Sequence, residues 1–128
     1  MNVLLDTHAL LWLAFEQRSI SPHVRKIVAS SQNEIFVSAA TAWEITTKYR
    51  LGKLEFARGL ALNFVPRVLA AGYQLLPVTT EHAIRAGLLP GPHKDPFDRM
   101  LAAQAIHEDM TLLSNDATLD HFSLRREW

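Results

Sequence analysis

Val3-Leu4-Leu5-Asp6-Thr7-His8, running directly into the apolar stretch Ala9 to Phe15, is the segment that decides the fold. Three apolar residues stopped by an acid, with no alternation of polar positions, read as a short strand buried on both faces. The change of pattern from His8 through Phe15 reads as a helix entered straight from that strand, which puts Asp6 at the strand's carboxyl end. The same grammar returns further along the chain. Ile35-Phe36-Val37 is stopped by Ser38 and followed by a helix from Ala39 through Leu51, ended by Gly52. Thr111-Leu112-Leu113 ends at Ser114-Asn115-Asp116 and is followed by a short helix, while Tyr73 to Val78 reads as a further strand whose end is restricted by Pro77. Strands alternating with helices predict an α/β fold: a three-layer sandwich with a short, mainly parallel sheet flanked by helices on both faces.

The remaining segments fit between these. Ser21-Pro22 is a cap with proline at the first helical position, and Val24, Ile27 and Val28 continue at helical spacing to Ser30-Ser31. Leu60 to Ala71 reads as one helix interrupted by Pro66 and ended by Gly72. Thr80 and Glu81 open a helix that finishes near Gly87; Leu89-Pro90-Gly91-Pro92-His93-Lys94 is a breaker-rich loop; Asp95-Pro96 restarts a helix to about Ile106. Ser123 to Trp128 is expected to add an edge strand. No repeat or linker divides the chain, so residues 1–128 are read as a single domain.

Composition narrows the function. Thirteen Lys and Arg balance thirteen Asp and Glu, so no global field draws the chain to a polyanion, and any such contact needs a local patch. Cysteine is absent, which removes disulfides, thiolate catalysis and thiolate metal sites. The chain opens without a basic signal-type segment, and it has no apolar run long enough to span a bilayer. A soluble, cytoplasmic protein without a membrane partner is expected.

In open parallel sheets, ligands bind beyond the carboxyl ends of the strands. Four acids fall there: Asp6 after the first strand, Glu44 early in the helix after the second, Asp98 in the first turn after the breaker loop, and Asp116 after the Thr111–Leu113 strand. Two carboxylates ~4 Å apart repel by roughly 4 kcal/mol at an effective dielectric of 20, so a cluster of them needs a cation. Oxygen donors select Mg²⁺ or Mn²⁺, and carboxylate-held ions of that kind serve phosphodiester hydrolysis. Taken singly, each acid also fits a helix cap. Thr41 to Glu44 and Asp95 to Asp98 have capping-box spacing, and Thr7 is expected to cap the first helix and leave Asp6 free. Asp95 reads as a pure cap, Asp120 as part of a solvated face, and Ser114 as a turn residue able to assist a neighbouring carboxylate. A haloacid-dehalogenase phosphatase would need an acid at His8. A receiver-type domain would need paired acids after the first strand and an aspartate after the third.

Leu4-Leu5-Asp6-Thr7-His8, the Ser38-to-Glu44 stretch with Trp43-Glu44-Ile45, the segment from His93 to Ala105 and Leu113-Ser114-Asn115-Asp116 together resemble PIN-domain ribonucleases, most closely the VapC toxins of bacterial type II toxin–antitoxin pairs. The resemblance runs in order along essentially the whole chain. It implies a Mg²⁺-dependent endoribonuclease, with Mn²⁺ as a substitute, acting on RNA as a homodimer and neutralised by a cognate antitoxin. It also implies that Asp6, Glu44, Asp98 and Asp116 are the catalytic and metal-binding acids. A PIN-like fold that sequesters an antitoxin or binds RNA without cutting it is the non-enzymatic alternative.

Around these acids, Lys48, Arg50, Lys94 and Arg99 are candidate contacts to RNA phosphates, with a Glu44–Lys48 surface pair as the plainer reading of Lys48. His93 is weighed as an exposed loop residue, and no histidine is nominated as a metal ligand. The first helix is apolar all round, more than one core face uses, so Trp12 and Phe15 are candidate antitoxin contacts.

Overall fold

Val3 and Leu5 enter one hydrophobic core and Leu4 the other, because successive side chains of a strand point to opposite faces. The computed structural model describes residues 1–128 and contains one five-stranded sheet: β1 (Asn2–Leu5), β2 (Glu34–Ser38), β3 (Gln74–Leu76), β4 (Thr111–Leu113) and β5 (Arg126–Glu127). The order is β3-β2-β1-β4-β5, and every neighbouring pair is parallel. Chain direction across the sheet reverses at β1, which makes the gap between the ends of β1 and β4 the topological switch point.

On the Val3/Leu5 face, α1 (Thr7–Phe15), α2 (Pro22–Ala29), α4 (Arg58–Leu62) and α5 (Phe64–Ala70) pack with Ile35, Val37 and Leu113. α3 (Ala39–Arg50) joins this layer through Ile45. On the Leu4 face, α7 (Pro96–His107) contributes Leu101, Ala102 and Ala105 against Leu112, and α6 (Thr80–Leu88) packs on α7. The layers are those expected. No helix is long and apolar enough to cross a membrane.

The differences are local. The single helix expected from Leu60 to Ala71 is two, broken at Asn63, with Pro66 in the first turn of α5 where a missing N–H is tolerated. β3 is three residues rather than the stretch Tyr73 to Val78, and the edge strand is only Arg126–Glu127. The short helix after Asp116 is a 3₁₀ segment, Ala117–Phe122, ended by Ser123 at φ 53.

Candidate functional site

Asp6 is buried, and its side chain accepts a 2.7 Å hydrogen bond from the Ala9 N–H. Asp6 therefore caps α1 itself, and the cap expected of Thr7 is corrected. The Thr7 hydroxyl instead donates to Glu44 Oε1 at 2.6 Å and lies 3.3 Å from the Thr41 hydroxyl. Glu44 is buried inside α3, whose cap is Ser38, so the Thr41–Glu44 capping box does not form. Its other oxygen, Oε2, accepts from Lys48 Nζ. Ser38 Oγ accepts from the Ala40 N–H at 2.9 Å and donates to Gln104 Oε1 at 2.6 Å, which ties the start of α3 to α7 across the sheet edge.

α7 begins at a proline behind Asp95, whose carboxylate accepts from the Phe97 and Asp98 N–H groups. Asp95 is the cap expected of it. Asp98, one turn in, projects into the cleft and its Oδ2 lies 3.0 Å from His93 Nε2. Asp116 caps the 3₁₀ segment after β4 through Thr118.

The four predicted acids line one cleft of about 360 Å³ together with Thr7, His8, Trp12, Lys48, Asp95 and Asn115. Burial pushes the Asp6 carboxyl above its ordinary range, against the pull of the Ser114 hydroxyl and the Ala9 N–H. Burial raises Asp98 as well, with His93 opposing and the charges of Asp95 and Glu44 adding to the rise. Asp116 is held low, chiefly by its hydrogen bond from Thr118. Lys48 is the only cation lining the cleft, and it is engaged by Glu44. The buried Asp6 thus has no lysine or arginine partner, Asp98 is half-buried with only His93 beside it, and the acids around the cleft offer hard oxygen donors. Such a set fits a divalent cation of the Mg²⁺ or Mn²⁺ kind.

Other candidates are redistributed. Asp120 is outside the cleft, paired in a bidentate contact with Arg126. Arg99 is not available to a phosphate: it donates to the carbonyls of Ala86 at 3.1 Å, His93 at 2.9 Å and Leu89, and its guanidinium stands over the Phe122 ring. Arg50 and Lys94 are exposed and do not line the cleft. Trp12 is half-buried, edge-on to Trp128, and forms a wall of the cleft; Phe15 is exposed beside Phe56. His93 is the residue that sequence reasoning misplaced. Its side chain is only 16% exposed, and its distance of five residues from Asp98 was the available signal, since the Pro-Gly-Pro turn folds the loop back.

The PIN-domain family model matches residues 3–123. The chain belongs to the PIN-domain family. Among relatives, this PIN domain is 41% identical over 59 residues to Ribonuclease VapC16 of Mycobacterium tuberculosis, a stretch covering 46% of this chain and 40% of that protein. The match therefore spans less than half of that curated relative. Solved structures share the fold over nearly the whole chain. VapBC2 from Rickettsia felis bound to a promoter DNA fragment aligns with a TM-score of 0.74 and 17% identity, covering 99% of this chain and 98% of that one. VapBC-1 from nontypeable Haemophilus influenzae gives 0.67 and 15%, covering 99% and 97%. FitAcB from Neisseria gonorrhoeae gives 0.60 and 19%, covering 97% and 95%.

Proposed function

We propose that this PIN domain is a metal-dependent endoribonuclease of the VapC kind, acting in the cytoplasm and neutralised by a cognate antitoxin. The observation that carries the reading is the cleft at the β1/β4 switch point, where Asp6, Glu44, Asp98 and Asp116 converge and desolvation raises the carboxyls of Asp6 and Asp98. The name of the relative, Ribonuclease VapC16, supports the reaction class, and the VapBC and FitAcB neighbours support an antitoxin partner.

In this reading Asp6, Glu44, Asp98 and Asp116 hold the ion. When bound there, Mg²⁺, or Mn²⁺ in its place, would supply Lewis-acid stabilisation of phosphodiester charge and activation of the water that hydrolyses the P–O bond. The chain's own groups set the stage. Ala9 N–H fixes one Asp6 oxygen, Thr7 and Lys48 fix the Glu44 carboxylate, and Asp95 anchors the turn that carries Asp98. Lys48 at the cleft wall, with Arg50 and Lys94 outside it, supplies the local positive charge for the RNA backbone. The exposed Trp43, 65% accessible and edge-on to Phe97, forms with Val78, Pro96 and Met100 an apolar patch that we assign to the homodimer. Phe15 is assigned to the antitoxin.

The test is RNA cleavage by the purified, antitoxin-free protein. Cleavage is expected with added Mg²⁺ or Mn²⁺ and should disappear with excess chelator. Undiminished cleavage in chelator would remove the ion from the reaction, and RNA binding without any cleavage would leave the non-enzymatic alternative.

A further inference from the structure

His93 stands behind the cleft lining and converges on two of the four acids, Asp98 and Asp116. Its Nε2, a carboxylate oxygen of Asp98 and one of Asp116 all lie within 4.8 Å of one another. A hydrogen bond needs two of these atoms; all three are close enough together to share one ion. The separation between His93 Nε2 and Asp98 Oδ2 is 3.0 Å. Neighbouring ligands of an octahedral ion at ~2.1 Å stand about 3 Å apart, so this pair is already spaced to share one.

The imidazole is also held from behind. The His93 carbonyl accepts from Arg99, the ring packs edge-on against Phe122 with centroids 5.6 Å apart, and Gly91 makes the preceding turn at φ 111, where a side chain would be strained. The second histidine cluster, His82 with His107 and Glu108, lacks this freedom. There the His82 Nδ1 accepts the Thr79 N–H, which leaves the neutral ring's proton on Nε2, facing Glu108.

We propose that His93 is a direct ligand of the divalent ion, one nitrogen among oxygens, and that it biases the site toward Mn²⁺ over Mg²⁺. Imidazole suits transition-series ions, whereas Mg²⁺ prefers an all-oxygen shell. The inference rests on the metal-dependent reading above.

The probe is Mn²⁺ itself, added to the metal-free full chain and followed by pulsed electron paramagnetic resonance, with Mn²⁺ and Mg²⁺ affinities measured by calorimetry. Wild type should show the nitrogen coupling of a bound imidazole. His93→Phe, which keeps a ring against Phe122 but has no nitrogen, should lose that coupling and weaken Mn²⁺ binding about tenfold or more, and Mg²⁺ binding by less. His93→Gln is the second variant and decides the matter if the first fails to fold. Bound Mn²⁺ without nitrogen coupling, coupling that persists in the variants and so comes from His8, or an unchanged Mn²⁺-to-Mg²⁺ ratio would each overturn the assignment while leaving the metal-dependent reading intact. Failure of wild type to bind Mn²⁺ at all would overturn both.

Discussion

Arg99 directs its guanidinium nitrogens at three backbone carbonyls, those of Ala86, Leu89 and His93, and so fastens the loop before α7 to the end of α6. A lysine has one flexible ammonium and no fork, so Arg99→Lys keeps the charge but gives up most of this clamp. Losing two charge-assisted bonds should cost about 2–4 kcal/mol and lower the melting temperature by several degrees. The salt dependence of RNA binding should not change, whereas loss of a phosphate contact would reduce its slope by roughly 0.7 for single-stranded RNA. The convergence of the four acids was legible because Asp6 and Asp116 follow strands, Asp98 lies in the first turn of α7, and Glu44 lies in the helix that leaves β2 at the same sheet edge. The role of Arg99 was not, since carbonyl acceptors six to thirteen residues away carry no signature in side-chain identity. His93 was obscured for the same reason: whether a loop histidine faces solvent or a carboxylate depends on how the Pro90–Pro92 turn folds.

At the scale of elements, the strand-to-helix switches read directly from the sequence because a parallel strand buried on both faces is a plain apolar run. Boundaries were less legible. Thr7 and Asp6 are both good caps, and the choice fell to Asp6 because Thr7 is drawn inward by Glu44. β5 has only two residues, and much of its attachment comes from side chains: Arg126 pairs with Asp120 at 2.8 and 3.0 Å and donates to the Ser114 carbonyl at 3.0 Å. The Arg126 hydrogen bond holds Asp120 below its ordinary 3.8. A carboxyl lowered in the folded state adds stability above its unfolded value, and that stability is lost as pH falls through the folded one. Asp120→Asn should therefore melt slightly below wild type at neutral pH, and the two should converge as thermal scans are taken to acid pH below 3.8. A constant gap across that range would mean that Asp120 acts by shape and not by charge.

Across the whole molecule, α1 runs from the acid cleft to the surface proposed for the antitoxin. Its nine residues span ~13 Å from the cleft, where Asp6 caps it, to Phe15 at the far end. Phe15 is 41% exposed, so its removal should weaken antitoxin binding by about tenfold and leave cleavage near wild type, measured by calorimetry and by the RNA assay. Trp12, wedged between the cleft and Trp128, should behave differently, with Trp12→Ala lowering both cleavage and melting temperature. Equal effects of the two substitutions on antitoxin affinity would place the partner surface along the whole helix. The central claim is that the four carboxylates act as one ion-holding unit. Its most direct test is RNA cleavage by Asp98→Asn, Glu44→Gln and their double variant, each checked for folding by its thermal melt. Each single substitution should reduce cleavage by about a hundredfold or more and the double should be scarcely worse, because members of one unit are not additive. The metal-free Asp98→Asn protein should melt above wild type, since a carboxyl that burial disfavours has been replaced by a neutral amide. Wild-type cleavage by a folded Asp98→Asn protein would contradict the account.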